Sequence, residues 1–297
     1  MRALVTGATG FIGRQLVARL TRPVVLSRDA ARARQSLGNV EAFDWDPVMG
    51  APPAEALRDI QCVFHLAGDP VAQGRWTAAK KARVRESRVA GTANLVSALR
   101  AMQSRPEVLI SASAVGYYGS RGDELLVETS SAGRDYLAEV CAAWEAAARG
   151  AIDLGVRVVT ARIGIVLGKG GGALAKMLTP FRLGLGGRLG SGQQWMPWVH
   201  VDDTVGLLLH VAENPGISGA VNVVAPHPAT NAEFTRTLAH QLRRPALLPM
   251  PAAALRLAFG EFAEVLLASQ RVQSTVAQQS GYAFRYPELS AALAAAL

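Results

Sequence analysis

The chain has 297 residues, half of them apolar and 18% charged, which excludes a disordered polypeptide and is enough to bury a sizeable core. Its net charge is +8, but four lysines leave 27 of its 31 basic residues as arginines scattered along the sequence. Only the 80–88 segment, with Lys80, Lys81, Arg83, Arg85 and Arg88, is a basic cluster, and no zinc-finger or RNA-binding motif accompanies it, so nucleic acid is not an expected partner. Cys62 and Cys141 have neither a metal-ligand spacing nor a disulfide framework, which suits a reducing compartment and predicts no metal site.

Ala3-Leu4-Val5 reads as a short buried strand that runs into Gly7-Ala8-Thr9-Gly10-Phe11-Ile12-Gly13, and a helical pattern (Phe11, Ile12, Leu16, Val17, Leu20) follows at once. Strand, glycine turn and helix in that order make a nucleotide-binding fingerprint. Gly7 permits the tight turn, Gly10 lets a phosphate approach the backbone, and Gly13 lets the helix lie close on the strand. The free N–H groups at the helix start suit a pyrophosphate. Thr21-Arg22-Pro23 ends the helix, and residues 24–28 read as a second parallel strand. A carboxylate at that strand's end would serve the adenine ribose hydroxyls of NAD. Ser27 and Arg28 stand there instead, and a guanidinium pairs with a 2′-phosphate, so the sequence predicts NADP(H) over NAD(H).

Further apolar runs at 62–68, 108–113 and 157–162 alternate with helical patterns near 77–102 and 135–154. This alternation predicts an α/β fold with a doubly wound parallel sheet covered on both faces. From Gly164 to Gly192 lie ten of the chain's 29 glycines, a density that favours loops closing over a ligand. Beyond it, Asp203-Thr204-Val205 begins a helix, residues 221–224 read as a strand, and Asn231 is a candidate cap for another helix. The expected organisation is a nucleotide-binding domain over 1–165, with later segments returning to it, and a smaller, mostly helical substrate region over 166–297. The apolar stretch 247–268 is interrupted by Arg256, Glu261 and Glu264 and does not suit a bilayer span. A chain that opens on a strand has no room for a signal peptide, so the expectation is a cytoplasmic protein without a membrane partner.

With GATGFIG, VFHLAG, ISASAVGYYG, Val127-Glu128, Arg162 and PWVHVDD in succession, the chain resembles the extended and atypical short-chain dehydrogenase/reductases. More narrowly it resembles the sugar-nucleotide epimerase-like family that ends in a small domain of unknown function. DYLAEVCAAWEAAA, GSGQQWMPWVHVDD, NVVAPHPATNAEFT and GYAFRYPEL carry that narrower pattern, over essentially the whole length. The resemblance implies a Rossmann domain binding NADP(H). It assigns Gly7, Thr9, Gly10, Phe11, Ile12 and Gly13 to the pyrophosphate turn and Ser27 and Arg28 to the 2′-phosphate. Leu66, Ala67 and Gly68 fall beside the adenine-side ribose. Arg88, where many relatives carry asparagine, either faces the cofactor or stands on a solvated helix face. Ser111, Arg162 and Gly164 complete the cofactor set, with Arg162 reaching the nicotinamide or forming a salt bridge. Ser113 aligns with the hydroxyl that holds the reacting oxygen of the substrate.

Active members of the resembled group carry a tyrosine followed four residues later by a lysine. Here Tyr136 is followed at that distance by Val140; alignment on Glu145 places Leu137 and Cys141 at the two positions instead, and no lysine falls between 82 and 168. The standard proton relay is missing. Tyr117 and Tyr118 are the candidates to replace it, against aromatic packing in a turn, while Cys141 reads best as a small buried residue. On the substrate side, Trp195, Trp198, His200 and Asp202 are candidates; the aromatics alternatively pack between the two halves, and Asp202 or Asp203 alternatively caps the next helix. His65 and Asn222 are as readily structural. Two functions follow: an NADP(H)-dependent oxidoreductase or epimerase-like enzyme acting on a small carbonyl or sugar-like substrate, or a non-catalytic NADP(H)-binding sensor read by a partner. Monomer and homodimer are both open.

Overall fold

A computed structural model describes all 297 residues. The first half contributes β1 (Ala3–Thr6), α1 (Phe11–Val17), β2 (Val24–Ser27), α2 (Ala30–Leu37), β3 (Glu41–Asp44), β4 (Cys62–His65), α3 (Ala78–Ala101), β5 (Val108–Ala114), β6 (Leu125–Leu126) and α4 (Tyr136–Arg149). The second half adds β7 (Arg157–Ile163), β8 (Ile165–Leu167), α5 (Gly172–Arg182), β9 (Trp195–Met196), β10 (Trp198–His200), α6 (Val201–Glu213), β11 (Gly219–Val223), β12 (Ala229–Thr230) and α7 (Asn231–Leu242). The chain ends with α8 (Ala252–Phe259), α9 (Phe262–Leu267), β13 (Arg271–Val272), α10 (Thr275–Gln279) and α11 (Leu289–Ala296).

Seven strands pair in the order β3-β2-β1-β4-β5-β7-β11, all parallel. The chain winds outward in both directions from β1 and β4, so their carboxyl ends open the crevice where ligands of doubly wound sheets bind. Side chains alternate between faces. Val5, Val25, Phe64, Ile110 and Val159 share one buried cluster with Leu16 of α1 and Val205 and Leu208 of α6. Leu4, Val24, Val63, Leu109 and Val158 share the other with Leu95 and Leu99 of α3 and Ala148 of α4. Burying each such side chain contributes about 1.5–3 kcal/mol, and coverage on both faces is why these strands read as unbroken apolar runs.

The doubly wound expectation holds. Beyond residue 165, α6 packs on the sheet and β11 becomes its edge beside β7, in register Asn222 to Arg162. A third cluster, containing Leu174, Phe181, Trp198, Phe234, Leu238 and Leu293, builds the smaller helical region. Three local readings are corrected. The glycine-dense segment contains β8 and α5 rather than only loops. A Cβ at Gly168 or Gly172 would come within 2.8 or 3.0 Å of the Phe11 ring, so these glycines admit Phe11 against the chain. The cap of α6 is His200, whose ring nitrogen accepts from the Asp202 N–H, rather than Asp202 or Asp203. The cap of α7 is Thr230 in a capping box with Glu233, while the Asn231 amide oxygen accepts from Leu189 N–H at 2.8 Å. The edge strand β3, with only Ala42 buried, carried too little pattern to be read from sequence.

Candidate functional site

The turn after β1 is shaped by backbone contact. Gly7 has φ +67°, and a Cβ there would lie 2.7 Å from the Leu66 carbonyl, so the position admits only glycine without strain. A Cβ at Gly13 would lie 2.7 Å from Ala8 Cα, and at Gly10 3.1 Å from the Gly7 oxygen. Gly10 caps α1 with no side chain of its own over the first turn, which leaves those N–H groups facing the crevice.

A buried polar chain fixes the neighbouring strand end. Thr6 Oγ1 accepts the N–H groups of Leu66 and Ala67, both at 3.1 Å. Its own proton therefore goes to His65 Nδ1 at 2.8 Å, which leaves Nε2–H to donate to Thr92 Oγ1 at 2.9 Å. Full burial pushes the imidazole pKa down to about 4, so the ring stays neutral.

Two cavities meet at this edge. One, of about 440 Å³, is lined by the glycine turn with Thr9, by Ser27 and Arg28 at the end of β2, by 45–48 after β3, by Leu66, Ala67 and Gly68, and by Arg83, Glu86 and Ser87 of α3. The other, of about 400 Å³, is lined by Phe11, Ile12 and Gly13, by Ala112, by Gly164 and its neighbours, and by the start of α5. They share Gly7, Gly10 and Leu66, so the glycine turn is the saddle between them. Sequence reasoning missed Trp45, Asp46, Pro47 and Val48, and it read Arg83 only as part of a charge cluster. The i,i+4 spacing of Arg83 and Ser87 on one helix face was the available signal.

Arg88 is half-buried rather than standing on a solvated helix face. Its Nη1 donates to the Asp69 and Val84 carbonyls at 3.0 and 3.1 Å. The guanidinium lies 5.0 Å from the Trp144 ring centroid, and its Cζ would be 3.0 Å from a Cβ on Gly68. It thus stands between the loop after β4 and α4, and burial lowers its pKa.

The strand ends of β5 and β7 carry a second constellation, under α4. Ser113 Oγ donates to Glu145 Oε1 at 2.8 Å, and Arg162 grips both carboxylate oxygens at 2.8 and 2.9 Å. Arg162 Nη1 also donates to the Tyr118 hydroxyl and to the Glu128 carbonyl, each at 3.0 Å. The Tyr118 hydroxyl in turn donates toward Asn222 Oδ1 at 2.7 Å, with the Val127 carbonyl at 3.1 Å. Glu145 is 1% exposed and Tyr118 fully buried. Burial opposes the Arg162 charge, but the hydrogen bonds and charge of Glu145, with Tyr118, outweigh it and raise the pKa. Burial raises the Tyr118 pKa against the pull of Arg162. Tyr118 and Arg162 therefore lie inside the core rather than on the cleft wall, with their polar atoms committed to one another. Tyr117 lays its ring 3.5 Å from the Arg162 guanidinium. Leu137 and Cys141 face Gly116 from α4, and burial pushes the Cys141 thiol up to about 11. Ser111 is buried, with its hydroxyl 3.3 Å from the Ala112 carbonyl.

The four substrate candidates do not come together at the cavities. Trp198 is 1% exposed and its indole donates to the His227 carbonyl at 3.0 Å; the apolar core of the helical region claims it. His200 is buried against Tyr286, with ring centroids 4.1 Å apart. Asp202 pairs with Arg19 at 2.5 Å and Arg285 at 3.2 Å. Trp195 is partly exposed, donating to Asp123 at 2.8 Å under the Arg271 guanidinium. The missed residue with the clearest chemistry is Glu145. A glutamate in an alanine-rich helix gives no sign of burial until β5 and β7 are placed beneath it.

Comparison with known proteins matches residues 3–224 to the NAD dependent epimerase/dehydratase family and residues 250–296 to a domain of unknown function, DUF1731. An Arabidopsis thaliana chloroplastic homolog of the epimerase family protein SDR39U1 is 42% identical, over 99% of this chain and 86% of its own length. The Bacillus subtilis epimerase family protein YfhF is 36% identical over 99% and 97%. Among solved structures, human epimerase family protein SDR39U1 with NADPH superposes with a TM-score of 0.88 at 35% identity, covering 100% of this chain and 99% of that one. A Bacillus cereus UDP-glucuronic acid 4-epimerase, at 18% identity and a TM-score of 0.81 over 100% and 98%, shares the fold.

Proposed function

This chain belongs to the NAD dependent epimerase/dehydratase family, and from that premise we propose that it binds NADP(H) and works as an oxidoreductase or epimerase-like enzyme on a small carbonyl or sugar-like substrate. The observation that carries the cofactor is the saddle of Gly7 and Gly10 between two cavities, one ending at Ser27 and Arg28. A dinucleotide fits that shape, with its pyrophosphate over the cradle a Cβ would fill and a 2′-phosphate against Arg28. The structural relative solved with NADPH supports the same choice.

When bound, the nicotinamide supplies the position that accepts or returns a hydride. The chain's part is to place the oxygen and move its proton. Ser113 gives its own hydrogen to Glu145, so its oxygen is left to accept a hydrogen bond from a substrate hydroxyl. A proton leaving that hydroxyl passes to Ser113 as Ser113 passes its own to the Glu145 carboxylate. Arg162 holds that carboxylate in place. The Arg88 charge beside Gly68 supports the cofactor from the α4 side.

A second reading, an NADP(H)-binding sensor without turnover, is favoured by one specific observation. Leu137 and Cys141 occupy the α4 face over Gly116, and neither a leucine nor a thiol held near 11 moves protons at neutral pH.

Titration with NADPH and NADH tests the cofactor. NADPH binds more tightly, and Arg28→Ala weakens it by about ten- to a hundredfold, the worth of a charge-assisted contact, with little change for NADH. Unchanged NADPH affinity in that variant refutes the 2′-phosphate assignment. A panel of carbonyl compounds and nucleotide sugars, monitored through NADPH and with Ser113→Ala as comparison, tests the reaction. Turnover that survives Ser113→Ala removes the Ser113–Glu145 relay, and tight NADPH binding with no turnover anywhere selects the sensor.

A further inference from the structure

The acidic residues avoid one part of this chain. No aspartate or glutamate occurs between Asp153 and Asp202, nor between Glu233 and Glu261, whereas those two intervals contain Lys169, Lys176, Arg182, Arg188, Arg236, Arg243, Arg244 and Arg256. The fold lays the two intervals side by side. Met250 N–H donates to the Arg188 carbonyl and Gly190 N–H to the Met250 carbonyl, both at 2.9 Å, and a Cβ on Gly184 would touch Pro245.

The same surface carries most of the molecule's exposed large apolar side chains. Leu183, Leu185, Leu247, Leu248, Met250, Leu257 and Phe259 are 42–83% exposed. In α8, with the sequence AAALRLAF, only Leu255 is buried. A helix so apolar that buries one residue has left its remaining face without a partner. Arg182, Arg188, Arg243 and Arg244 make no ion pair. The adjoining acids are already matched, Glu261 with Lys81 and Glu264 with Arg256.

We propose that this face docks the protein on an anionic lipid bilayer, with α8 and the 183–185 and 247–248 leucines entering the interface and the flanking arginines against lipid phosphates. Charge selects this occupant. A second copy of the chain, meeting face to face, would set unpaired arginines against the same arginines. Nucleic acid would answer the arginines but leave the leucines and Phe259 without apolar contact. A bilayer surface offers both an acyl boundary and a negative potential, the combination an interfacial basic and apolar surface requires. The contact is peripheral, since no helix is long and apolar enough to cross a membrane. It also revises the expectation from sequence that no membrane is involved, which considered only a spanning segment. The face adjoins the nucleotide-binding half, because α9, packed beside α8, sets Phe262 on Trp76 and Glu261 on Lys81.

Flotation of the full chain with vesicles of phosphatidylcholine alone, or of phosphatidylcholine with phosphatidylglycerol, is the test. Binding is expected only to the anionic vesicles and falls with added salt. Arg243→Ala with Arg244→Ala weakens it about tenfold or more, each cation near such a surface contributing on the order of 1 kcal/mol. Leu257→Ser with Phe259→Ser also weakens it, while circular dichroism and NADPH titration show both double variants folded. Absence of binding to anionic vesicles at low salt, equal binding to neutral vesicles, or indifference to both double variants overturns the proposal. So does a dimer in sedimentation that Leu257→Ser with Phe259→Ser dissociates, which would assign the face to a second copy. Retention of an oligonucleotide through the same arginines without vesicle binding would assign it to nucleic acid.

Discussion

The glycine turn after β1 and the polar cluster under α4 lie at the same edge of the same sheet but are specified in opposite ways. The turn is made of backbone. What matters at Gly7, Gly10 and Gly13 is the absence of a Cβ, because each would meet another main-chain atom. The cluster is made of side chains drawn from β5, the short turn after it, α4, β7 and β11, joining Ser113, Tyr118, Glu145, Arg162 and Asn222. A turn built by omission tolerates change around it. A closed network of buried polar groups around one ion pair does not, because the buried Arg162 charge has Glu145 as its one carboxylate partner.

The largest expected effect follows from that asymmetry. Glu145→Gln leaves the Arg162 guanidinium, 4% exposed, without its counter-charge. A buried ion pair broken on one side costs about 3–5 kcal/mol, so the variant should unfold at markedly lower urea. The turn and the Arg28 end of the first cavity make no contact with this cluster, so the fraction that remains folded should bind NADPH as the parent does. Urea unfolding monitored alongside NADPH titration reads both quantities. A stability loss below about 1 kcal/mol, typical of a solvated pair, would show that the cluster is not the closed network described. Loss of NADPH affinity in the folded fraction would show that the two regions are not separable.

The same contrast explains what was legible in the sequence. Three consecutive apolar residues before a glycine triplet, then a helical period, name the turn because all its determinants lie within the first 20 residues. Ser27 and Arg28 follow because the next strand is short and its start is fixed by Pro23. The parallel sheet is legible for a similar reason, since burial on both faces writes itself as unbroken apolar runs. Glu145 was not legible, because its partners are 17 and 32 residues away and on different strands. Trp198 was misjudged for a related reason. A tryptophan directly after Pro197 reads equally as rim or core, and only the third cluster, with Phe234 and Leu293, decides for core. The glycine-dense segment was misjudged because close approach to Phe11 and loop mobility leave the same residue in the sequence.

A smaller effect sharpens the comparison from the side of the turn. His65 connects β4 to β1 through Thr6, and Thr6 in turn holds the Leu66 and Ala67 amides that line the cavities. The ring is neutral in the fold with a pKa of about 4, against 6.5 for an ordinary histidine. Between those values the unfolded chain binds a proton that the folded chain refuses, so stability rises with pH across this window and is lost as pH falls through it. The loss attributable to this residue approaches about 3 kcal/mol near pH 4 and vanishes above about pH 7. Protonation would force Nδ1 to donate where it now accepts from Thr6, releasing the Leu66 loop along with the strand. Thermal unfolding of the parent and of His65→Asn, followed from pH 7.5 to 4.5, isolates this contribution, because His200 and the carboxylates titrate in both proteins. The parent should lose stability more steeply than the variant as the pH falls below about 6.5. Parallel curves would mean that the ring keeps an ordinary histidine pKa in the fold and takes up its proton there as readily as in the unfolded chain, so that the hydrogen-bond chain from Thr92 to the Leu66 amide does not hold it neutral.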